Sequence, residues 1–529
     1  MTVVEPRPVV HRPGRLGRFA TAAGRAAAIG LPTAGVALGV AHVVAAALGR
    51  PQTAPVLAVG STVIDATPRP LKDFAIREFG THDKVVLLSG VYLLLVLFAV
   101  GLGAVAGRRR AVGYAGLAVF VGIGVVAVVT RPASTGIDAL PTLVGGVVAA
   151  VALIVQLRFS QTTTAADAAR PRLLNRRQFL VTTGAAAAVA ASAGAGGVAL
   201  GRTNTPGSRS RAAVRLPAPA DPAPALPAGV LTTMPGGSAF VTANRDFYRV
   251  DTALTVPQID ANAWRLTVHG AVDRPATFTF DDLLRRPMRE RDITLNCVSN
   301  EVGGPYVGTA RWLGVPLAPL LREAGMRAGA DQLVSRSTDG MTIGTPLDAV
   351  LDGRDAMLVV GMNGEPLPLE HGFPVRLLVP GLYGYVGACK WLTDLEVTTF
   401  DAFDAYWVRR GWAARAPVKT ASRIDTPRPL TTIAPGQVRI AGVAWAQRRG
   451  ISAVDVSVDN GQWQPAQLAD GPSPDTWRQW VLRWDATPGL HTIRVRATDG
   501  RGDTQPEARA GTFPDGATGW HTISVTVSG

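Results

Sequence analysis

Hydrophobic and polar positions divide the chain into three unlike textures. Up to about residue 202, apolar residues run in charge-free blocks at 26–49, 85–107, 111–130 and 139–157, with a softer Ala/Gly-rich block at 178–201. At 1.5 Å per residue, each block is long enough as a helix to cross ~30 Å of hydrocarbon. A buried core helix explains any one block, but not a succession of them separated by charged or Pro-bearing connections. Residues 203–236 contain seven Pro among Ala, Ser and Gly without apolar periodicity, which predicts a semi-rigid spacer. From 237 the period changes: Trp264–Val268 alternates, 280–286 and 315–324 predict short helices, and 356–361 and 374–379 predict buried strands. Beyond about 416 the helical signals stop. Alternating runs at 437–445, 452–458, 476–484, 490–498 and 520–527 are divided by turn residues, Asp459-Asn460-Gly461 being a strong hairpin signal.

The expected architecture is therefore multi-domain. An α-helical transmembrane bundle of about five spans occupies 1–202, a Pro-rich linker 203–236, and an α+β domain 237–415. An immunoglobulin-like β-sandwich without an intersheet disulfide occupies 416–529, with Trp445, Trp463, Trp477, Trp480, Trp484 and Trp520 as its aromatic filling.

Charge changes the picture of partners. A net charge of +14 over 529 residues suggests nucleic acid until it is located. Residues 1–202 carry 20 Lys/Arg against 7 Asp/Glu, whereas the remainder carries 33 against 32, so no nucleic-acid partner is expected. With the N-terminus inside, the inner connections hold 13 basic and 2 acidic residues, and the outer ones 7 and 5. The positive-inside rule then places the N-terminus in the cytoplasm and everything after the fifth span outside it. Arg176-Arg177-Gln178-Phe179-Leu180, ahead of a soft apolar stretch, resembles a twin-arginine export signal in an internal position. That route suits a domain folded around a bulky cofactor.

Ordinary catalytic patterns are missing: there is no Walker loop, His-Glu-x-x-His, Gly-x-Ser-x-Gly or Cys-x-x-Cys. Cys297 stands out within Ile293-Thr294-Leu295-Asn296-Cys297-Val298-Ser299-Asn300-Glu301-Val302-Gly303-Gly304, where a strand-like run enters a turn. A thiol there suits a nucleophile or a soft metal ligand. It equally suits a small buried hydrophobe or a disulfide partner for Cys389.

The stretch around Cys297 resembles the molybdenum-ligand loop of the sulfite oxidase family of molybdopterin-dependent oxidoreductases, in its bacterial membrane-anchored branch. The likeness continues through Gly308–Leu317, Met362–Pro368, Glu370–Arg376, Val379-Pro380-Gly381, Tyr383-Gly384 and Lys390-Trp391. It implies a molybdenum–molybdopterin cofactor in which the metal is held by the pterin dithiolene and one Cys, here Cys297, so no ligand cluster is needed. By the same resemblance His371 and Arg376 hold the pterin and its phosphate, and Lys390 is a second phosphate contact with the Gly387 and Ala388 backbones nearby. Asn244, Phe247 and Tyr248 resemble the Asn-x-x-Phe-Tyr pterin contacts of the periplasmic methionine-sulfoxide reductase branch, and Ser337 stands where that branch has a contacting hydroxyl. The resemblance implies no disulfide between Cys297 and Cys389. It also makes the C-terminal sandwich the family's dimerisation-type domain and leaves a homodimer through it open.

Two departures bear on the substrate. Sulfite oxidases carry a Tyr in the segment matching Asp339–Thr342, where this chain has Met341, and arginines after the Cys loop, where it has Glu301. A small, uncharged substrate is therefore expected, with sulfite oxidation or sulfoxide reduction proper as alternatives. The spans offer one His, His42, so no b-type haem is expected, and electrons are assigned to a separate cytochrome or quinone-linked carrier. His42 is also the one polar group noted in the spans, which disfavours a transporter. A receptor or adhesion protein with an empty family domain is the remaining rival.

Overall fold

The computed structural model describes residues 15–68, 71, 74, 78, 83–131, 134–160, 172–203, 205–230 and 236–529. The basic residues expected inside before position 15, and those between 161 and 171, lie outside the described residues. The chain divides into two units, Met1–Thr205 with Thr252–Thr255, and Pro206–Asp251 with Val256–Gly529.

In the first unit the apolar blocks form helices α1 (Arg15–Ala47), α3 (Asp83–Ala106), α4 (Arg110–Val129), α5 (Leu140–Ser160) and α6 (Arg172–Thr203), with a shorter helix α2 (Pro55–Ala66) after α1. Five stretches are long and apolar enough to cross a membrane: Ala26–Ala47, Val85–Ala106, Arg110–Val129, Gly136–Arg158 and Leu180–Gly197. Helix α1 packs against α3, α5 and α6. Small residues make this possible: a Cβ at Gly30 would sit 1.8 Å from the Ala99 carbonyl oxygen, and one at Gly103 would sit 2.1 Å from that of Ala26. The view of His42 as the sole polar group in the spans needs correction. Gln156 on α5 is 1% exposed and reaches α1, where its Nε2 donates to Thr33 Oγ1 at 3.4 Å. It is uncharged and serves as helix–helix glue. Arg50 Nη1 pairs with Asp138 Oδ1 at 2.7 Å and Arg131 Nη1 donates to Gln52 O at 3.0 Å, joining the connection after α1 to the one between α4 and α5.

The second unit is α+β. One sheet runs β2-β1-β10-β5-β6, built from β1 (Arg265–Gly270), β2 (Ala276–Thr279), β5 (Gln332–Ser337), β6 (Thr342–Pro346) and β10 (Leu392–Thr398). A second runs β3-β4-β7-β8 with β9 on β7, from β3 (Arg289–Asn296), β4 (Val307–Pro316), β7 (Met357–Met362), β8 (Glu365–Pro366) and β9 (Arg376–Leu378). The expected helices appear as Phe280–Leu284, opened by a Thr279/Asp282 capping box, and Leu317–Ala324, closed by Gly325 in the left-handed region.

The C-terminal strands form two sheets. The first contains Ala421–Thr426, Gly436–Trp445, Gln467–Leu468 and Arg478–Ala486; the second contains Thr432–Ile433, Ile451–Val458, Gln464–Pro465, Gly489–Asp499 and His521–Val527. Ile440 and Trp480 of one sheet share a core with Val456, Val495 and Val525 of the other. Asp459 and Asn460 both take positive φ, which matches the twist of the flanking strands. This region is not a separate body. Val443, Trp445 and Trp477 belong to the same core as β3, β4 and β7.

The spacer is corrected as well. Pro206–Ala213 is a helix, and the strand-like stretch after it is bonded down: Ala220 N donates to Met288 O at 2.9 Å and Glu290 N to Asp221 O at 2.9 Å. The Asp221 carboxylate pairs with Arg291 at 2.5 Å and Arg289 at 2.9 Å. Proline blocks donation by its own nitrogen but leaves its neighbours' carbonyls and side chains free to bond. Residues 206–230 are thus a strap on the second unit, and 204 and 231–235 lie outside the described residues.

Candidate cofactor site

Strands β3 and β4 pair up to Asn296↔Val307, and residues 297–306 cross between them. Cys297 N donates to Tyr306 O at 2.9 Å and Asn300 N to Cys297 O at 3.1 Å, while Asn300 Oδ1 accepts from Tyr306 N at 2.8 Å. Gly303 takes φ +81, which side-chain-bearing residues rarely adopt. The loop folds inward and leaves Cys297 8% exposed, with its thiol free, as is that of buried Cys389. Burial pushes the Cys297 thiol up, opposed by hydrogen bonds from Ser299 and by the Lys390 charge. Cys389 is pushed up to about 12 by burial.

A second wall comes from the turn Asn244–Asp246 and the residues after it. Asn244 Nδ2 donates to Glu365 Oε1 at 2.8 Å, its Oδ1 accepts from Asn363 Nδ2 at 2.8 Å, and its backbone oxygen accepts from His371 Nε2 at 3.0 Å. That last bond fixes the proton on Nε2 and leaves Nδ1 as an acceptor. His371 is 3% exposed, and burial holds its pKa down to about 4, so the ring is neutral. The Phe247 ring lies 5.6 Å from His371 and 5.7 Å from Trp312. Burial, with Cys297 adding to it and Arg376 opposing, pushes the Tyr248 phenol above its ordinary range.

Two cations complete the site. Arg376, at the start of β9, is 5% exposed, donates from Nη1 to His371 O at 3.2 Å and lies over the Trp312 ring at 5.2 Å. Its Nε is buried without a partner, and burial holds its pKa down to about 10. The Lys390 Nζ meets Asp251 Oδ2 at 2.6 Å, and Arg249 Nε shares that oxygen at 2.7 Å. Burial holds Lys390 down to about 8, with Asp251 opposing.

The cluster therefore carries a positive excess: Lys390 and Arg249 share one carboxylate, and among the described residues Arg376 has none. Buried cations need an anion or a cost is incurred. A second orphan, Asn296 Oδ1, sits one residue from Cys297. A soft thiol, a neutral imidazole, orphaned polar atoms and buried cations are the groups that a molybdopterin and its phosphate call for.

Not every expected contact joins the cluster. Gly387 N and Ala388 N donate to Tyr383 O at 3.0 Å and Gly384 O at 2.9 Å, closing the short turn Gly384–Gly387, so neither N–H is free. The bonds of Ser337 run to its own turn, from its N to Met341 O at 3.0 Å. Sequence reasoning missed Asp251 and Arg249, which carry no periodic signal and meet residue 390 only in the fold. It quoted Asn363 and Glu365 as motif members without seeing that both clamp Asn244.

One pH dependence follows. Lys390 must be protonated to hold an anion, so phosphate binding to the cofactor-free protein should weaken as pH rises through about 8, the Lys390 value. Lys390→Arg should remove that step, as seen by titration calorimetry at pH values on either side; an unchanged step would exclude Lys390 as its source.

Residues 253–407 match the oxidoreductase molybdopterin binding domain. Mitochondrial sulfite oxidase of Homo sapiens is 30% identical over 347 residues, 55% of this chain and 62% of that protein. The NADH nitrate reductase of Solanum lycopersicum is 28% identical over 48% of this chain and 35% of its own length. The solved sulfane dehydrogenase SoxCD of Paracoccus pantotrophus aligns at 26% identity and a TM-score of 0.48, covering 55% of this chain and 85% of that one. The catalytic part is thus of the molybdopterin-dependent oxidoreductase class. This part of the chain is similar to the sulfite oxidases. It spans about three fifths of the length of the mammalian sulfite oxidases it matches, 62% and 58% for the human and rat proteins.

Proposed function

We propose that the protein is a membrane-anchored molybdenum oxidoreductase whose catalytic body lies outside the cytoplasm and carries out two-electron oxygen-atom transfer on a small, uncharged substrate. The observation that carries this reading is the buried Cys297 thiol beside a positive cluster in which Arg376 Nε has no partner. When bound, the molybdenum–pterin group supplies the redox and oxo-transfer chemistry. The chain's own part is to offer Cys297 as the ligand, hold the phosphate with Arg376 and Lys390, and orient the pterin through Asn244 and His371. Phe247 and Trp312 exclude water around these groups.

Five apolar helices and the inside-positive charge pattern support the anchor and its orientation, with the Arg176-Arg177 segment, inside α6, as an export signal for a folded body. Electrons pass to or from a separate carrier. We read the C-terminal sheets as an immunoglobulin-type sandwich available for pairing two chains.

The uncharged-substrate reading rests on Met341, which is partly buried against the main core, more than on Glu301, which is exposed and therefore screened by water. Sulfite oxidation is the second reading, favoured by the positive cluster itself. Steady-state assays of the full-length protein in detergent, with artificial electron carriers, separate them. A neutral sulfoxide is expected to show saturable turnover, with sulfite at least about tenfold lower in kcat/KM, about 1.4 kcal/mol of transition-state discrimination. Robust sulfite oxidation without sulfoxide turnover would reverse the order.

A further inference from the structure

We propose that the C-terminal β-region sets the shape of the Cys297 loop, with His521 and Arg423 as positioning residues for the thiol. The inference deepens the reading of Cys297 as metal ligand and rests on it for its functional meaning.

From Thr294 onward, the strand and the loop after it are held from the C-terminal side at several points. β3 is an edge strand, since its pairing in the sheet is with β4. Its outer edge is covered by Asp221 at Arg289 and Glu290, and at Thr294 by chain from beyond residue 440. Thr294 N donates to Asp475 O at 2.9 Å, Trp477 N donates to Thr294 Oγ1 at 2.7 Å, and Gln447 Nε2 donates to Thr294 O at 3.0 Å. Further along, Arg423 Nη1 donates to Gly304 O at 2.8 Å, and its other arms are fixed by Ser238 Oγ at 2.9 Å and Asp425 Oδ1 at 2.6 Å. The His521 ring rests on Gly303, where a Cβ would lie 2.2 Å from Nε2 and 2.3 Å from Cδ2. Its Nδ1 accepts from Ile424 N at 2.9 Å, so the ring cannot swing away without losing that bond. Residues 303 and 304 lie on the same loop as Cys297, closed by the Tyr306–Cys297 and Glu301–Gly304 backbone bonds. A shift imposed at Gly303 is therefore passed to the thiol within one turn of chain. A site held to within ~0.5 Å needs such support, because a ligand on an unbuttressed loop is too loose.

The test is a double-mutant cycle on the full chain, purified in detergent from cells that make no molybdenum cofactor, in a Cys389→Ser background so that Cys297 alone reports. The readout is the alkylation rate of Cys297 by iodoacetamide at fixed pH. His521→Asn keeps an acceptor for Ile424 N while withdrawing the far edge of the ring. Gly303→Ala carries a left-handed backbone cost in either background, and that cost cancels in the cycle. Gly303→Ala should raise the alkylation rate at least about tenfold with His521 present and less than about threefold in the His521→Asn background. Arg423→Gln should also raise it, and it carries the test if Gly303→Ala does not fold. His491→Ala, which breaks the 2.7 Å contact with Asp459 in the same sheet without touching the loop, should leave it unchanged. Equal effects of Gly303→Ala in both backgrounds, or a rate unchanged by Arg423→Gln, overturn the proposal. Molybdenum retention by the same variants made in cofactor-competent cells is the functional arm. Coupling in the alkylation cycle with no molybdenum in the parent protein would sink the ligand reading and leave the positioning intact.

Discussion

Cys297→Ser should lower turnover by at least about 100-fold while leaving the fold within about 2 kcal/mol of its original stability. The asymmetry follows from what the residue touches. The loop is closed by backbone groups, Cys297 N to Tyr306 O and Asn300 N to Cys297 O, and neither bond depends on the sulfur. Serine nearly matches the volume, and the Ser299 groups that hydrogen-bond the sulfur are there for a hydroxyl. What is lost is a soft anionic ligand, since a thiol deprotonates far more readily than an alcohol and binds soft metals. Steady-state turnover and thermal unfolding of the same preparation check both halves. Cys389→Ser is the control and should be mild, because that thiol is buried and held protonated. Near-normal turnover of the Cys297 variant would remove the ligand assignment.

Arg376→Met should separate function from stability in the opposite direction. The guanidinium is 5% exposed, and among the described residues it has no carboxylate partner and an orphaned Nε. In the cofactor-free protein it is a buried cation that donates to His371 O and lies on the Trp312 face, without a carboxylate to offset its desolvation among the described residues. Replacing such a charge with an apolar side chain of similar length is often neutral or stabilising by ~1–4 kcal/mol. The cofactor-free variant should therefore unfold at the same temperature or higher. The loaded protein should suffer, because a rigid donor fork on the phosphate has been removed, worth ~1.5–3 kcal/mol per charged hydrogen bond. Calorimetric unfolding of the cofactor-free form and pterin content of the loaded form read the two effects. A variant destabilised without its cofactor would show that Arg376 is a structural cation.

The contrast between these variants explains what was legible in the sequence. Apolar blocks at 85–107 and 111–130 became helices Asp83–Ala106 and Arg110–Val129, because a long uninterrupted apolar run needs little tertiary context to be legible as a helix. Alternation at 452–458 and 490–498 became strands Ile451–Val458 and Gly489–Asp499 for the same reason: one face is buried and the period is two. The strap was hidden. Its composition is that of a spacer, and what pins it are Arg289, Arg291 and Met288, about seventy residues away, which no local window contains. Asp251 was hidden similarly, being a bare acidic residue until Lys390 is seen against it. The Cys297 loop was legible as a motif but not as a structure. His521 and Arg423, which hold it, lie in a region whose sequence announces only strands.

Molybdenum content of the purified full-length protein, made in cells that assemble the cofactor, tests the central claim most directly. One molybdenum per folded chain is expected for the wild type. Folded chains from the same cells that carry no molybdenum would contradict the account and leave the Cys297–Arg376 cluster without its ligand.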